Sequence, residues 1–217
     1  MSHDNTLRRS ILFAASFAAL LWALHLFGFV TGLDLYWLGV LPRTLDGLPG
    51  IASAPLIHGS WQHLFGNTLP ILLLGSMLVY GYPRTRWWAL AGIWLGSGLG
   101  VWLFARSSYH FGASGLAHGI FFYLFIGGIL RRDKRSAALL MVAFYLYGGM
   151  LLTIFPRDPG VSFESHFFGA LAGAGCAWLF SRRDLKPPRR RYSWEHEAES
   201  DGAEEEEDPV IGEQWKL

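Results

Sequence analysis

Six apolar runs, most of them near the roughly 20 residues a helix needs to cross about 30 Å of hydrocarbon, leave this chain few ways to fold. They cover residues 11–30, 61–80, 87–105, 114–130, 137–155 and 166–180. A backbone in lipid must satisfy its own hydrogen bonds, so each run reads as a helix, and the chain as an all-α, six-transmembrane helical bundle. With 52% hydrophobic residues and only 16% charged ones, the composition excludes an ordinary soluble domain. The single Cys176 lies inside an apolar run, which rules out a disulfide framework or a cysteine metal site within one chain.

The net charge of +1 hides a strong segregation. Arg8 and Arg9, Arg84 and Arg86, Arg131 to Arg135, and Arg182, Arg183 and Lys186 fall on one side of a six-span arrangement, against only Arg43, Arg106 and Arg157 on the other. Basic short loops stay cytoplasmic, so both termini are expected there. Residues 1–10 form a cytoplasmic N-terminus, and 11–30 a retained anchor rather than a signal peptide, since the run is long and no small-x-small cleavage site follows. Residues 11–181 are the core, and 182–217 a disordered cytoplasmic tail, basic through Arg189–Arg191 and then acidic through Glu204–Asp208. Residues 31–60 hold Pro42, Pro49 and Pro55 among aromatics such as Tyr36 and Trp37, as expected of a partly structured loop at the headgroup level. Glycines four apart recur at 92, 96 and 100, at 115 and 119, and at 169 and 173, marking close helix packing among the third, fourth and sixth spans.

Polar residues inside these runs need partners or water. Counting helical rise back from the basic ends puts Ser114 about 24 Å, His166 about 21 Å, Asn67 about 20 Å and His63 about 26 Å from the cytoplasmic boundary, one level beneath the outer surface. The economical arrangement is a small hydrated cavity open outward. Ser114, just after Gly112 and Ala113, begins a helix whose free N–H groups favour developing negative charge. A serine needs a base to become a nucleophile, and a histidine such as His166 can take and return its proton. His63 and Asn67, four apart on one helix face, can donate to an oxyanion. Each alone has a plainer reading: serine as packing, asparagine as interhelical glue, and histidines such as His3, His25, His110 and His196 as interfacial.

Taken together, His58-x4-His63-x3-Asn67, Gly112-Ala113-Ser114-Gly115 and His166-x2-Gly169-x3-Gly173 resemble the rhomboid intramembrane serine proteases across the six-span core. The resemblance implies a Ser114–His166 dyad with no acidic third member. It also implies an oxyanion site of His63, Asn67 and the Ser114 N–H, with His58, His118, Gly112 and Gly115 in support. The reaction implied is hydrolysis of peptide bonds in or beside transmembrane segments, with transmembrane proteins and the lipid bilayer as partners. A bacterial-type core of this kind implies a multi-pass protein of the bacterial inner membrane. No cofactor, metal or nucleic acid is expected.

Two departures stand out. Many rhomboids carry a tyrosine four residues after the nucleophile, where this chain has His118, either an aromatic replacement stacking in the same place or a second titrating group beside His166. The Trp-Arg pair of the first loop is not evident, although Leu41-Pro42-Arg43 is nearby. Glu164 is assigned to the loop or helix cap, since a residue two positions from His166 points to another face. The alternatives are a catalytically inactive rhomboid-like protein that binds transmembrane helices, a histidine metalloprotease lacking His-Glu-x-x-His, and a channel lacking an inverted repeat.

Overall fold

The computed structural model describes residues 7–156 and 160–184. Most of the expected tail, from residue 185 onward, lies outside the described residues, as do residues 1–6 with His3, and His196. Among the described residues the regular structure is helical apart from one isolated antiparallel bridge, Val40 to His110. The helices are α1 (Leu7–Thr31), the single-turn α2 (Gly50–Ser53), α3 (Trp61–Gly81), α4 (Arg86–Phe104), α5 (Ser114–Arg131), α6 (Lys134–Tyr147) and α7 (Phe163–Phe180).

Four of them, α1, α3, α4 and α5, are long and apolar enough to cross a membrane. Of the other three, α2 is a single turn in the first loop, and α6 and α7 differ from the expected runs because capping, not hydropathy, sets their starts. Asp133 accepts the Ser136 N–H at 3.0 Å, so α6 starts before its apolar run. It stops at Tyr147, where Gly148 and Gly149 open a 3-10 turn over Gly148–Leu151. Its 14 residues span about 21 Å. Ser162 likewise accepts the Ser165 N–H at 3.2 Å and starts α7 ahead of His166, giving that helix a polar first turn.

The bundle is built around α5, which is buried along most of its length, whereas α1 is covered on one narrow face. Its apolar surface elsewhere, including Leu12, Leu20 and Phe27, is exposed. The α5–α7 contact is made backbone to backbone. A Cβ on Gly169 would run into the Gly115 carbonyl, and one on Gly173 into the Gly119 carbonyl. The matching order of these pairs makes α5 and α7 parallel, with both N-termini at the same end. On a neighbouring face of α7, Phe168, Ala172 and Cys176 fill the space above Gly100, Gly96 and Gly92 of α4. The glycine stripes in the sequence are therefore the seams of α7 against its two neighbours.

The opposite end of the bundle carries the basic turns. Asp184 accepts the Arg84 and Thr85 N–H groups at 3.1 and 3.0 Å and the Thr85 hydroxyl at 2.9 Å. Arg131 donates to the Ser181 carbonyl at 2.9 Å and to Asp133 at 2.8 Å. The α3–α4 turn, the α5–α6 turn and the end of α7 thus meet. Buried charges in this position are tolerable because Asp184 is hydrogen-bonded three times and Arg131 is paired with Asp133.

The seam makes a direct prediction. Gly173→Ala has no room and should destabilise the fold by about 1–3 kcal/mol through overpacking, read as a lowered unfolding midpoint in detergent micelles. Gly175, with nothing within 4 Å of its Cβ position, is the control. Gly175→Ala should hold or raise the midpoint, as alanine favours helix by about 1 kcal/mol.

Candidate active site

Ser114 is the first residue of α5, and the chain enters it along a path that few residues could follow. Gly112 has φ +112°, and a Cβ there would strike the imidazole of His63. Glycine is therefore required both for the backbone conformation and for the approach of His63. Ala113 gives no side-chain cap to α5, so the N–H groups of its first turn stay free to meet an anion.

The segment before the serine is held by the long first loop. Val40 and His110 exchange backbone hydrogen bonds at 2.8 and 2.9 Å, and the Gly112 N–H donates to the Ala54 carbonyl at 2.9 Å. The Ala113 N–H reaches His58 Nε2 at 3.4 Å. The ring of His58 meets that of His63 nearly edge-on, 5.0 Å between centroids. Burial, with the nearby His63 and His25, pushes His58 down to about 3, so its ring is neutral and able to accept. Arg43 stands at φ 57° and caps the end of α4, donating its backbone N–H to the Trp102 carbonyl and its guanidinium to the Ala105 carbonyl at 2.7 Å.

His166 lies in the first turns of α7 and is 8% exposed. Its Nδ1 donates to the Thr153 carbonyl at 3.0 Å. A carbonyl only accepts, so in the neutral ring the proton sits on Nδ1 and Nε2 carries the lone pair. Gly115, pressed against the Ser165 carbonyl, keeps the starts of α5 and α7 in register. His118 stacks on His166 with ring centroids 3.9 Å apart and planes 8° from parallel. The ring thus stacks beside His166, the arrangement described by the first of the two readings of this position.

Ser114 and His166 line two cavities in common. One, about 1040 Å³, also has His63, Arg106 and His110 on its wall. The other, about 360 Å³ and reaching between α3 and α6, has Asn67, His118 and Thr153. Together these cavities bring Ser114, His166, His63 and Asn67 to one place. Among the described residues no hydrogen bond joins Ser114 Oγ to His166 and no three His, Cys, Asp or Glu side chains converge to hold a metal. Asn67 Nδ2 donates to the His63 carbonyl at 3.1 Å, leaving its second N–H uncommitted.

Glu164 does not contact His166 Nδ1, whose place as acceptor is taken by a backbone carbonyl. It is buried in the first turn of α7 and pairs with Arg106 at 3.4 Å.

Two histidines that share an interfacial reading in the sequence differ in the structure. His25 is half-buried and meets Trp61 edge-on at 4.5 Å. His110 is 2% exposed, bonded through Nδ1 to Ser162 Oγ at 2.6 Å and through Nε2 to the Arg106 carbonyl at 2.9 Å. It thereby joins the segment before Ser114 to the start of α7. Burial holds its ring below the ordinary histidine value. Thr153 was not singled out from sequence either. It falls in a turn after α6, where neither periodicity nor a motif marks it.

Residues 47–183 match the family described as Rhomboid domain. Similar chains include an uncharacterized protein of Mycobacterium tuberculosis, 36% identical over 180 residues that cover 79% of this chain and 75% of the relative. An uncharacterized protein of Mycobacterium leprae is 35% identical over 180 residues, covering 79% and 71%. The fold and site define an integral membrane protein of the all-helical rhomboid type. This chain belongs to the rhomboid family.

The depressed His58 value sets a pH window. Unfolded His58 takes up a proton near its ordinary value of 6.5, whereas the folded ring resists until about 3. Between these values the unfolded state binds more protons, so stability falls as pH drops through the window. Unfolding midpoints measured from pH 7 down to pH 4 should fall less steeply for His58→Gln than for the parent chain.

Proposed function

We propose that this chain is an intramembrane serine endopeptidase that hydrolyses peptide bonds in or next to transmembrane segments of membrane proteins. The observation that carries this reading is the placement of Ser114 at the uncapped start of α5, on cavity walls shared with a buried His166 whose only ring proton is committed to Thr153. A lone pair on Nε2 is what a general base needs.

In this reading Ser114 Oγ attacks the scissile carbonyl carbon while its proton passes to His166 Nε2. The oxyanion is received by the Ser114 N–H, by His63 beside Gly112 and by the uncommitted Asn67 N–H. His166 then returns the proton to the leaving amine, and the acyl-enzyme is hydrolysed by water activated on the same nitrogen. Closing the Ser114–His166 hydrogen bond accompanies substrate binding, since catalytic hydrogen bonds commonly tighten only in the complex. The substrate is a transmembrane helix with a locally unwound stretch, because an extended backbone is needed to reach a serine at a helix start. In this reading the membrane is a bacterial inner membrane and both termini are cytoplasmic, which the basic turns support, and the site opens toward the opposite face.

An inactive rhomboid-like protein that holds transmembrane helices is the reading this must be tested against. Purified chain treated with a fluorophosphonate should be modified at Ser114 alone, and Ser114→Ala and His166→Ala should each lower cleavage of a transmembrane test substrate by at least 1000-fold at unchanged expression. Cleavage by either variant at the parent rate would reject the dyad.

A further inference from the structure

Three imidazole nitrogens, two of His118 and one of the proposed base, are joined through Thr153 in one hydrogen-bonded chain. His118 Nδ1 lies 2.7 Å from the Ser114 carbonyl, and His118 Nε2 lies 2.8 Å from Thr153 Oγ1. The carbonyl of that same Thr153 accepts from His166 Nδ1 at 3.0 Å, and the two imidazoles are stacked at 3.9 Å. The directions of these bonds follow from the acceptors. The Ser114 carbonyl can only accept, so His118 carries its proton on Nδ1. Its Nε2 then has a lone pair, which the Thr153 hydroxyl fills. That hydroxyl has one proton, and its alternative acceptor, the Met150 carbonyl, is more distant at 3.3 Å.

We propose that Thr153 and His118 are positioning residues for His166, forming with the Ser114 carbonyl a hydrogen-bonded chain, doubled back by the His118–His166 stack, that fixes the base in the tautomer with Nε2 free. The inference rests on the serine-protease reading for its catalytic consequence, but the tautomer it describes exists without substrate.

The physical case turns on where Thr153 sits. Its backbone is past the end of α6 and past the 3-10 turn over Gly148–Leu151, so no helix holds its carbonyl in place. The side-chain bond to His118 supplies that restraint, and His118 is itself anchored in α5 by the backbone of Ser114. The carbonyl that orients the base is thus referred, through one threonine and one imidazole, to the residue bearing the nucleophile. Bonds in such a chain polarise one another, and the surrounding apolar core strengthens each. A tyrosine at position 118 would stack equally well but would present one hydroxyl far from its ring. The imidazole bonds at both edges of a ring that is also stacked, and so fixes orientation as well as plane.

The test uses the full chain in detergent, 15N-labelled at histidine, as parent, Thr153→Val and Thr153→Ser. Valine keeps the shape and loses the hydroxyl; serine keeps the hydroxyl. Thr153→Val is expected to lower kcat at least 10-fold with KM within 2-fold, and to turn the His166 nitrogen signals from the single Nδ1–H tautomer to a mixture. Thr153→Ser should restore kcat to within 3-fold of the parent. His118→Phe, which keeps the stack and removes both bonds, is a second route and should give the same mixed tautomer if valine at 153 unfolds the chain. The proposal is overturned by an unchanged His166 tautomer in the folded variants, by kcat of Thr153→Val within 2-fold of an active parent, or by failure of serine to rescue. A parent that neither cleaves substrate nor labels at Ser114 sinks the protease reading instead, and the nitrogen signals still decide the positioning of His166.

Discussion

The contact on which the rest depends is the meeting of two backbones, α5 and α7, across Gly115, Gly119, Gly169 and Gly173. Between helices in lipid there is little apolar driving force, because acyl chains solvate leucine as well as another leucine does. What favours association is van der Waals contact at short range, which side chains would prevent. Four missing Cβ atoms allow it. Since the two helices are parallel and registered by these glycines, their first residues lie at one level, and a serine on one faces the histidine side of the other. The positions of Ser114 and His166 are consequences of a packing seam that starts beside them, at Gly115 and Gly169, and runs deeper into the bundle.

A second constraint governs the entry to α5. The N–H groups at a helix start can serve an oxyanion only if no side chain caps them and the preceding chain is held away. Ala113 provides no cap, and the positive φ of Gly112 turns the chain aside under His63. The long first loop supplies the restraint through the Val40–His110 bridge, Ala54 and His58. It is itself pinned to the end of α4 by Arg43, where unsatisfied carbonyls and a negative dipole end favour a cation. The lack of a Trp-Arg pair in sequence is met by a different arrangement: Arg43 binds the end of α4, and Trp102 of that helix donates back to the Thr44 carbonyl at 2.8 Å.

Much of this could be read from the residues alone, for physical reasons that also explain the failures. The apolar runs and the glycine stripes are periodic properties of a helix, so they survive without coordinates. Helix ends do not: Asp133 and Ser162 start α6 and α7 outside their apolar runs, because a cap is one hydrogen bond and leaves no trace in hydropathy. His110 and His25 look alike in composition and differ in burial, since one is drawn inward by Ser162 and a backbone bridge that only the fold creates. Thr153 is invisible for the same reason. Its partners are 35 and 13 residues away in sequence, and its most consequential group is a carbonyl that every residue possesses.

The choice of a backbone carbonyl as the partner of His166 follows from the surroundings. Soluble serine hydrolases orient their histidine with a carboxylate, which also stabilises the imidazolium that forms. Below a membrane surface an added carboxylate costs several kcal/mol of desolvation unless it is itself paired. Glu164, two residues before His166, is paired with Arg106. A carbonyl orients the ring with a partial charge alone, and its weakness as an electrostatic partner is offset by rigidity. That rigidity comes from the stacked His118 and the Thr153 hydroxyl. Where charge is expensive, order in hydrogen bonds takes its place, and a stacked pair of imidazoles becomes a way to hold a ring in one orientation.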